Sequence, residues 1–428
     1  MKVRRLLLAL ALLATPAALD AQQLLTLADA QAQARAHAPE VAELEARVRG
    51  MQTIAAQARR IFRLDPVVSS TYFNGALLGR PDESAWSVDA KLPVDLSGSW
   101  KPRSASAAAD VTRSQFQRED GLRLLDEAVG IAVADVALQQ RLVDRTQRLL
   151  DLFAIAADAA HQQLKVGQGT QLDADSADLD LAGARVTLDQ ARADLARAQA
   201  RLARLLGRAS GAELRVADPP EQALSLQRPD FSAIVDRDPR VQAAQAEIDA
   251  ATFERQTFER LVTPMPTLGL SSGYTRRDIP VGSFSGAPFA SSLTTNWADR
   301  DLVFSVSLPI PLFDRQLQPR AQATSRLLAA EARLRTTRAD VGTELESTWL
   351  AYEAAARVLR AVADTPTVIE RDAEFVEQAV RAGAFDALTR TVNLRRLEDA
   401  GRRVDTAVRD YRAATAAWLR RSRGLQQP

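Results

Sequence analysis

The feature that most constrains this chain is that it states nearly everything twice. LPVDLSG at Leu92–Gly98 returns as LPIPLFD at Leu308–Asp314, an offset of 216 residues, and Gly167 and Leu172 in LKVGQGTQLD match Gly383 and Leu388 in VRAGAFDALT at that same offset. Upstream, HAPEV at His37–Val41 answers RDPRV at Arg237–Val241, and Pro66 answers Pro266, both 200 residues apart. The offset is 202 at Tyr72 and Tyr274 and 216 at Leu92 and Leu308, so the second copy carries a 14-residue insertion between them. A chain made of two copies of one unit is expected to fold as two related halves of one object.

The first residues, MKVRRLLLALALLATPAALDAQ, join Lys2, Arg4 and Arg5 to an apolar run from Leu6 to Leu13 and then to small residues. That run is too short to span a bilayer and reads as a cleaved secretory signal ending at Ala21. The rest divides into a first repeat over 22–207, a linker over 208–236, a second repeat over 237–424 and a tail over 425–428. Loss of the signal's three cations and Asp20 turns the formal charge of +1 into −1. Such balance predicts no nucleic-acid partner. No cysteine occurs, which excludes disulfides, thiolate metal sites and lipid attachment through cysteine. Beyond the signal no run of ~18 apolar residues occurs, so a membrane-embedded form of this chain has to be a barrel.

Apolar residues make up 46% of the chain, mostly alanine and leucine, while aromatics make up 5%, a composition of long helices. Leu122, Val129, Val136, Val143 and Leu150 recur every seven residues, with Leu125, Ala132, Gln139, Thr146 and Phe153 as a second series. After Gly167, Leu181, Ala184, Leu188, Ala191, Leu195, Ala198, Leu202 and Leu205 alternate at steps of three and four, and Leu397, Val404, Tyr411 and Trp418 repeat the pattern at the 216-residue offset. Leu345, Tyr352 and Leu359 supply the other seam of the second copy. A seven-residue apolar repeat asks for left-handed supercoiling against neighbouring helices. The stretch from Ser99 to Leu164 has no proline after Pro102, which predicts one helix of ~65 residues and ~100 Å. Pro366, opposite Leu150, should interrupt its counterpart.

Between the helices the period changes to two. In WSVDAKL, Trp86, Val88, Ala90 and Leu92 oppose Ser87, Asp89 and Lys91; in LVFSVSL, Leu302, Phe304, Val306 and Leu308 oppose Val303, Ser305 and Ser307. VVSSTYF from Val67 and TLGLSSGYT from Thr267 precede them, giving hairpins at about 66–96 and 265–311. The intervening FNGALLGRPDE and RRDIPVGSFSGAPFASSLTTNWAD are rich in glycine, proline and serine and read as exposed loops. Strands with one apolar face fit an outer-membrane barrel, with Trp86, Val88, Leu92, Leu302, Phe304, Val306 and Leu308 facing lipid. Four strands cannot close alone, so closure requires several chains.

The two copies, the signal, the SLPIPLFDR element and the G-x-G-x-x-x-L-D turn leading to LARLLGR together resemble the TolC family of outer-membrane efflux proteins. The resemblance implies a mainly α fold with a transmembrane β-barrel: a homotrimer whose four strands per chain make a twelve-stranded barrel, continued by long coiled-coil helices as a periplasmic tunnel. It implies a passive exit channel, not an enzyme, working with a periplasmic adaptor (membrane fusion) protein and an inner-membrane transporter of the resistance-nodulation-division type, in contact with outer-membrane lipid. No cofactor is implied. The second-half loop and SVSLPIPLFDR look most like members serving heavy-metal cation pumps, with metal cations or small toxic compounds as cargo; protein secretion of type I stays open. The helix-to-helix turns at 166–173 and 382–389 would form the periplasmic aperture and adaptor contact, with Gly167, Gly169, Asp173, Gly383, Asp386 and Thr389 as candidates. Family members carry acidic residues six and nine positions after the second glycine, where this chain has Thr389 and Val392, so that acidic ring does not transfer. Asp173 or Asp386, repeated by symmetry, is the substitute for a cation-favouring constriction; the alternative is that both lie near helix N-termini, where negative charge is favoured.

No catalytic constellation emerges. His37 and His161 lie in different predicted helices without a partner pattern, so packing or solvated roles outweigh metal ligation. VGQGT lacks the preceding strand and following lysine of a phosphate loop. A soluble periplasmic coiled-coil scaffold shares the signal and the heptads but needs no paired amphipathic strands.

Overall fold

The computed structural model describes residues 24–60, 65–74, 83–209, 211, 214–219, 223, 227–263, 265–283, 292–309, 316–381 and 387–422. The signal at 1–21, the tail at 425–428, Gly383 and Asp386 lie outside the described residues. In chain order the elements are α1 (Leu27–His37), α2 (Pro39–Ala58), β1 (Val67–Asn74), β2 (Ser84–Pro93), α3 (Trp100–Lys165), α4 (Gln171–Leu205), α5 (Phe231–Arg237), α6 (Pro239–Arg260), β3 (Thr267–Ser283), β4 (Ser292–Ser307), α7 (Leu317–Ala361), α8 (Thr365–Arg381) and α9 (Ala387–Ser422). They form two compact units, one from Met1–Glu45, Arg118–Asp238 and Ala339–Pro428, the other from Ala46–Gln117 and Pro239–Arg338. Each unit therefore draws on both sequence repeats.

Among its described residues the first unit is mainly helical, with a parallel bridge between Leu25 and Val216, where the Leu25 N–H donates to the Arg215 carbonyl at 2.9 Å and the Ala217 N–H to the Leu25 carbonyl at 3.0 Å. That bridge ties the linker to the chain's N-terminal stretch. The heptad positions form its core. Val129, Val136, Leu202 and Leu206 pack with Ala30, Ala34, Leu214 and Val216 in one cluster, while Phe153, Ala156, Ala184, Val376 and Leu394 make another. In the second copy the same positions carry aromatics: Trp349 lies 5.0 Å from Trp418 and 5.8 Å from Tyr352, and Tyr352 lies 5.8 Å from Tyr411 between ring centroids. Alanine at alternate seam positions lets helix axes approach closely, and rings fill the wider gaps.

Helix α3 runs 66 residues, matching the proline-free stretch. Its start is set by Asp95, whose carboxylate accepts from the Ser97 N–H at 2.9 Å and from the Ser97 and Ser99 hydroxyls. The corresponding helix of the second copy stops at Ala361 and restarts at Thr365, with Pro366 the second residue of α8. Proline in a first helical turn has no N–H to waste, and deeper in a helix it would remove a bond and clash with the preceding turn.

The second unit contains one four-stranded antiparallel sheet in the order β1-β2-β3-β4. Here the sequence expectation is corrected: RRDIPVGSFSGAPFASSLTTNWAD is mostly strand, since β3 runs to Ser283 and β4 starts at Ser292. Hairpin pairing supplies the backbone bonds that composition argued against, and a register shift between Pro280 and Gly282 accommodates the residues least suited to a ladder.

Candidate functional site

Strand register sorts the sheet of the second unit into two chemically distinct faces. Directly paired residues share a face. Leu92 pairs Leu268, which pairs Val306; Val68, Ala90, Leu270 and Phe304 form the next row; Ser70, Val88, Ser272 and Leu302 the third; Tyr72, Trp86, Tyr274 and Arg300 the fourth. The opposite face is mixed but mainly polar: it carries Ser69, Thr71, Ser87, Asp89, Lys91, Gly269, Ser271, Gly273, Thr275, Asp299, Asp301 and Ser305 together with Val67, Phe73, Ala85 and Val303. The apolar face is open: Phe304 is 78% exposed, Val306 72% and Leu302 62%. Trp86, Val88 and Leu308 are also exposed, and Leu92 is half-buried. A contiguous bare apolar surface of this kind calls for an apolar solvent or partner. The ten residues of β2 also fit the ~9 to 11 that a tilted strand needs to cross a bilayer.

In the first unit, the turn from α3 to α4 holds the sequence-derived aperture candidates of the first repeat. Gly167 has φ +72°, a left-handed conformation that closes the α3 C-terminus, and the N–H groups of Gln168 and Gly169 reach back to the Gln163 carbonyl at 2.9 and 3.1 Å. Thr170 caps α4 through a reciprocal box with Asp173. The Thr170 N–H and hydroxyl donate to Asp173 at 3.1 and 2.7 Å, so this carboxylate has a local structural task. His161 was expected to lack a partner; its Nε2 instead sits 3.0 Å from Asp178, bridging α3 and α4 beside the turn. The two residues are 17 apart in sequence on opposite arms of a hairpin, a relation that periodicity does not display. In the second repeat, Thr389 falls in the first turn of α9, while Gly383 and Asp386 lie outside the described residues.

Sequence reasoning missed a buried ion pair in the first unit. Asp405 on α9 is 4% exposed and lies 2.8 Å from Arg145 on α3. Burial pushes the Asp405 carboxyl above its ordinary range, against the pull of Arg145 and Arg141, and burial lowers Arg145. The pair borders a cavity of about 530 Å³ lined by Arg141, Arg148, Leu394, Val404 and, across the helix break, Pro366 and Ile369. A glycine made this arrangement possible: a Cβ at Gly401 would fall 2.0 Å from the Arg145 guanidinium. Glycine in the middle of a helix, in DAGRRVD, was the available signal. Among the described residues no group of three His, Asp or Glu side chains is placed to hold a metal, and no helix is long and apolar enough to cross a membrane.

One unit thus holds a four-stranded antiparallel sheet with an exposed apolar face, and the other a bundle of long heptad helices. Residues 231–427 match the family model described as outer membrane efflux protein. The second repeat thus carries that family's sequence signature, and the described residues share the fold of the solved channels that follow. Among solved structures, a membrane protein from Pseudomonas aeruginosa aligns with TM-score 0.72 at 17% identity, covering 92% of this chain and 93% of that one. CusC, which forms a transmembrane channel, aligns with TM-score 0.71 at 15% identity over 92% and 91%. The outer-membrane channel OprN aligns with TM-score 0.70 at 19% identity over 94% and 91%. No curated protein matches the chain in sequence.

Proposed function

We propose that the protein is the outer-membrane exit duct of a tripartite efflux pump, a passive channel and not an enzyme. The observation that carries this reading is the sheet whose apolar face is exposed at Trp86, Val88, Leu302, Phe304 and Val306. Its edge strands β1 and β4 need partners, because an open edge in lipid leaves backbone groups unsatisfied. Three copies supply twelve strands and close it. Trp86, Val88, Leu92, Leu302, Phe304, Val306 and Leu308 then face lipid, and the polar face with Asp89, Lys91 and Asp301 lines water.

The helical turns at Gly167, Gly169 and Asp173, and at Gly383, Asp386 and Thr389, are assigned to the periplasmic aperture and the adaptor contact. An inner-membrane transporter of the resistance-nodulation-division type supplies the energy. Metal cations or small toxic compounds are the proposed cargo.

Single-channel recording of the purified mature protein in planar bilayers tests the reading. Discrete conductance from detergent-resistant trimers is expected. A water-soluble protein that neither trimerises nor inserts would instead establish a periplasmic scaffold. On the same bilayers Asp173→Asn reports on the aperture: a fall in cation preference assigns the constriction to Asp173, and unchanged preference leaves that residue as a helix cap alone.

A further inference from the structure

Within the first unit, α3 and α9 come into contact at Gly130 and Ala416. A Cβ added to Gly130 would fall 2.8 Å from the Ala416 Cβ, so the glycine is what lets the two helices meet there. Beside this contact lies a cavity of about 240 Å³ bounded by α1, α3, α9 and the linker. Its apolar lining comes from Val133 and Ala134 on α3, Leu419 on α9, Leu27 on α1, and Ala217 and Pro219 of the linker. The linker side is tied down twice. The Ala217 N–H donates to the Leu25 carbonyl at 3.0 Å, and Arg412 donates to the Pro219 carbonyl and to Asp218, both at 2.8 Å.

The polar side chains that border the cavity are already engaged. Thr26 donates to Asp29 at 2.6 Å, Gln31 to the Asp126 carbonyl at 3.4 Å and Thr415 to the Tyr411 carbonyl at 2.8 Å. Asp126 accepts from Arg35 at 2.9 Å, and Glu127 accepts from Arg420 at 2.8 Å. The bordering charges also cancel, Asp126 and Glu127 against Arg412 and Arg420. A charged or strongly hydrogen-bonding molecule entering here would give up its hydration and find these groups taken. An apolar molecule gives up nothing of the kind, and it restores the dispersion contacts that an unfilled space denies its lining. Apolar cavities of about 150 Å³ stay dry and accept benzene, so the space is ample for one ring.

We infer that this cavity is a binding site for a small neutral aromatic molecule of one ring. The bound ring touches α3 of the first repeat, α9 of the second and the linker that joins the repeats, and its occupancy strengthens the tie among all three. The site belongs to the first unit alone and stands apart from the channel reading.

The test is a fluorine NMR titration of the purified full-length protein in detergent with fluorobenzene, referenced to protein-free micelles, with thermal unfolding followed on the same samples. A saturable bound signal and a melting temperature that rises with fluorobenzene are expected, because a ligand bound only by the folded state stabilises it. Ala134→Leu and Ala217→Leu fill the space from different walls, and each should weaken binding on the order of tenfold or more. The charged relatives para-fluorobenzoate and para-fluorobenzylamine should bind the wild type on the order of tenfold more weakly than fluorobenzene; this comparison needs no variant to fold. Uptake that does not saturate, uptake unchanged in a folded filling variant, or charged probes bound as well as fluorobenzene would each overturn the site.

Discussion

Gly401 illustrates how single residues in this molecule are chosen against their local preference. A glycine in the interior of α9 costs about 1 kcal/mol relative to alanine, yet the Arg145 guanidinium occupies the space where a Cβ would stand. Gly401→Ala is therefore expected to lower stability by roughly 1 to 3 kcal/mol in denaturant unfolding of detergent-solubilised protein; a gain of about 1 kcal/mol would show that Arg145 does not pass there. Asp95 makes a prediction in pH. Burial alone would raise its pKa, but the hydrogen bonds from Ser97 and Ser99, aided by Arg103, outweigh it, and the folded value lies below 3.8. A depressed folded pKa means that the contribution is present above pH 3.8 and disappears as pH falls through the lower folded value. Thermal stability of Asp95→Asn should accordingly match the wild type at the acidic end of a scan from about pH 2 to 6 and fall short of it at the upper end. The sequence marks both places without giving the partners: Asp-x-Ser-x-Ser suggests a turn and Gly401 stands out inside a helix, whereas the crossing of Arg145 over Gly401 joins residues of different repeats.

Among the elements, the longest helix and its broken counterpart were legible because they depend on one rule. Proline absence from Lys101 onward apart from Pro102 permits α3, and Pro366 enforces the restart of α8. Pro366→Ala should slow amide hydrogen exchange over residues 362–366, as the turn between α7 and α8 gains the option of continuous helix; unchanged exchange would mean that packing, not proline, makes the break. The outer halves of β3 and β4 were not legible, because glycine, serine and proline resist a strand assignment until a partner strand supplies the ladder. The buried pair Arg145 and Asp405 couples α3 to α9 and gives a prediction at this scale. Removing Asp405 strands Arg145, and removing Arg145 leaves Asp405 only the more distant Arg141 at 3.8 Å, so Asp405→Leu should cost about 3 kcal/mol and Arg145→Met somewhat less. The double substitution should recover most of that loss, since the raised Asp405 pKa shows burial outweighing the attraction of its partners. A double-mutant cycle by urea unfolding reads the coupling, and additive single costs would contradict it.

For the whole molecule, the decisive feature is an unclosed sheet. The strand order leaves β1 and β4 as edges, and every residue of β1 is exposed. That four amphipathic strands cannot close alone was legible in the sequence; which strands are the edges was not, since an edge becomes visible only when the order within the sheet is known. The absence of native cysteine makes the missing contact measurable. If β1 of one copy lies beside β4 of the next, then cysteines at Ser69 or Thr71 combined with cysteines at Asp301, Val303 or Ser305 share the polar face, and neighbouring strands bring some of these within the ~4.4 to 6.8 Å between Cα atoms that a disulfide requires. Under mild oxidation at least one such pair should give a ladder of covalent dimers and trimers on a non-reducing gel. Pairs that mix faces, such as Thr71 with Phe304, should give monomer, because alternate side chains point to opposite sides of the sheet. Cross-linking indifferent to face would signal random collision, and monomer from every same-face pair would mean that the sheet closes by another edge or not at all. A ladder restricted to same-face pairs would also fix the register between copies, and with it the stagger of the closed barrel.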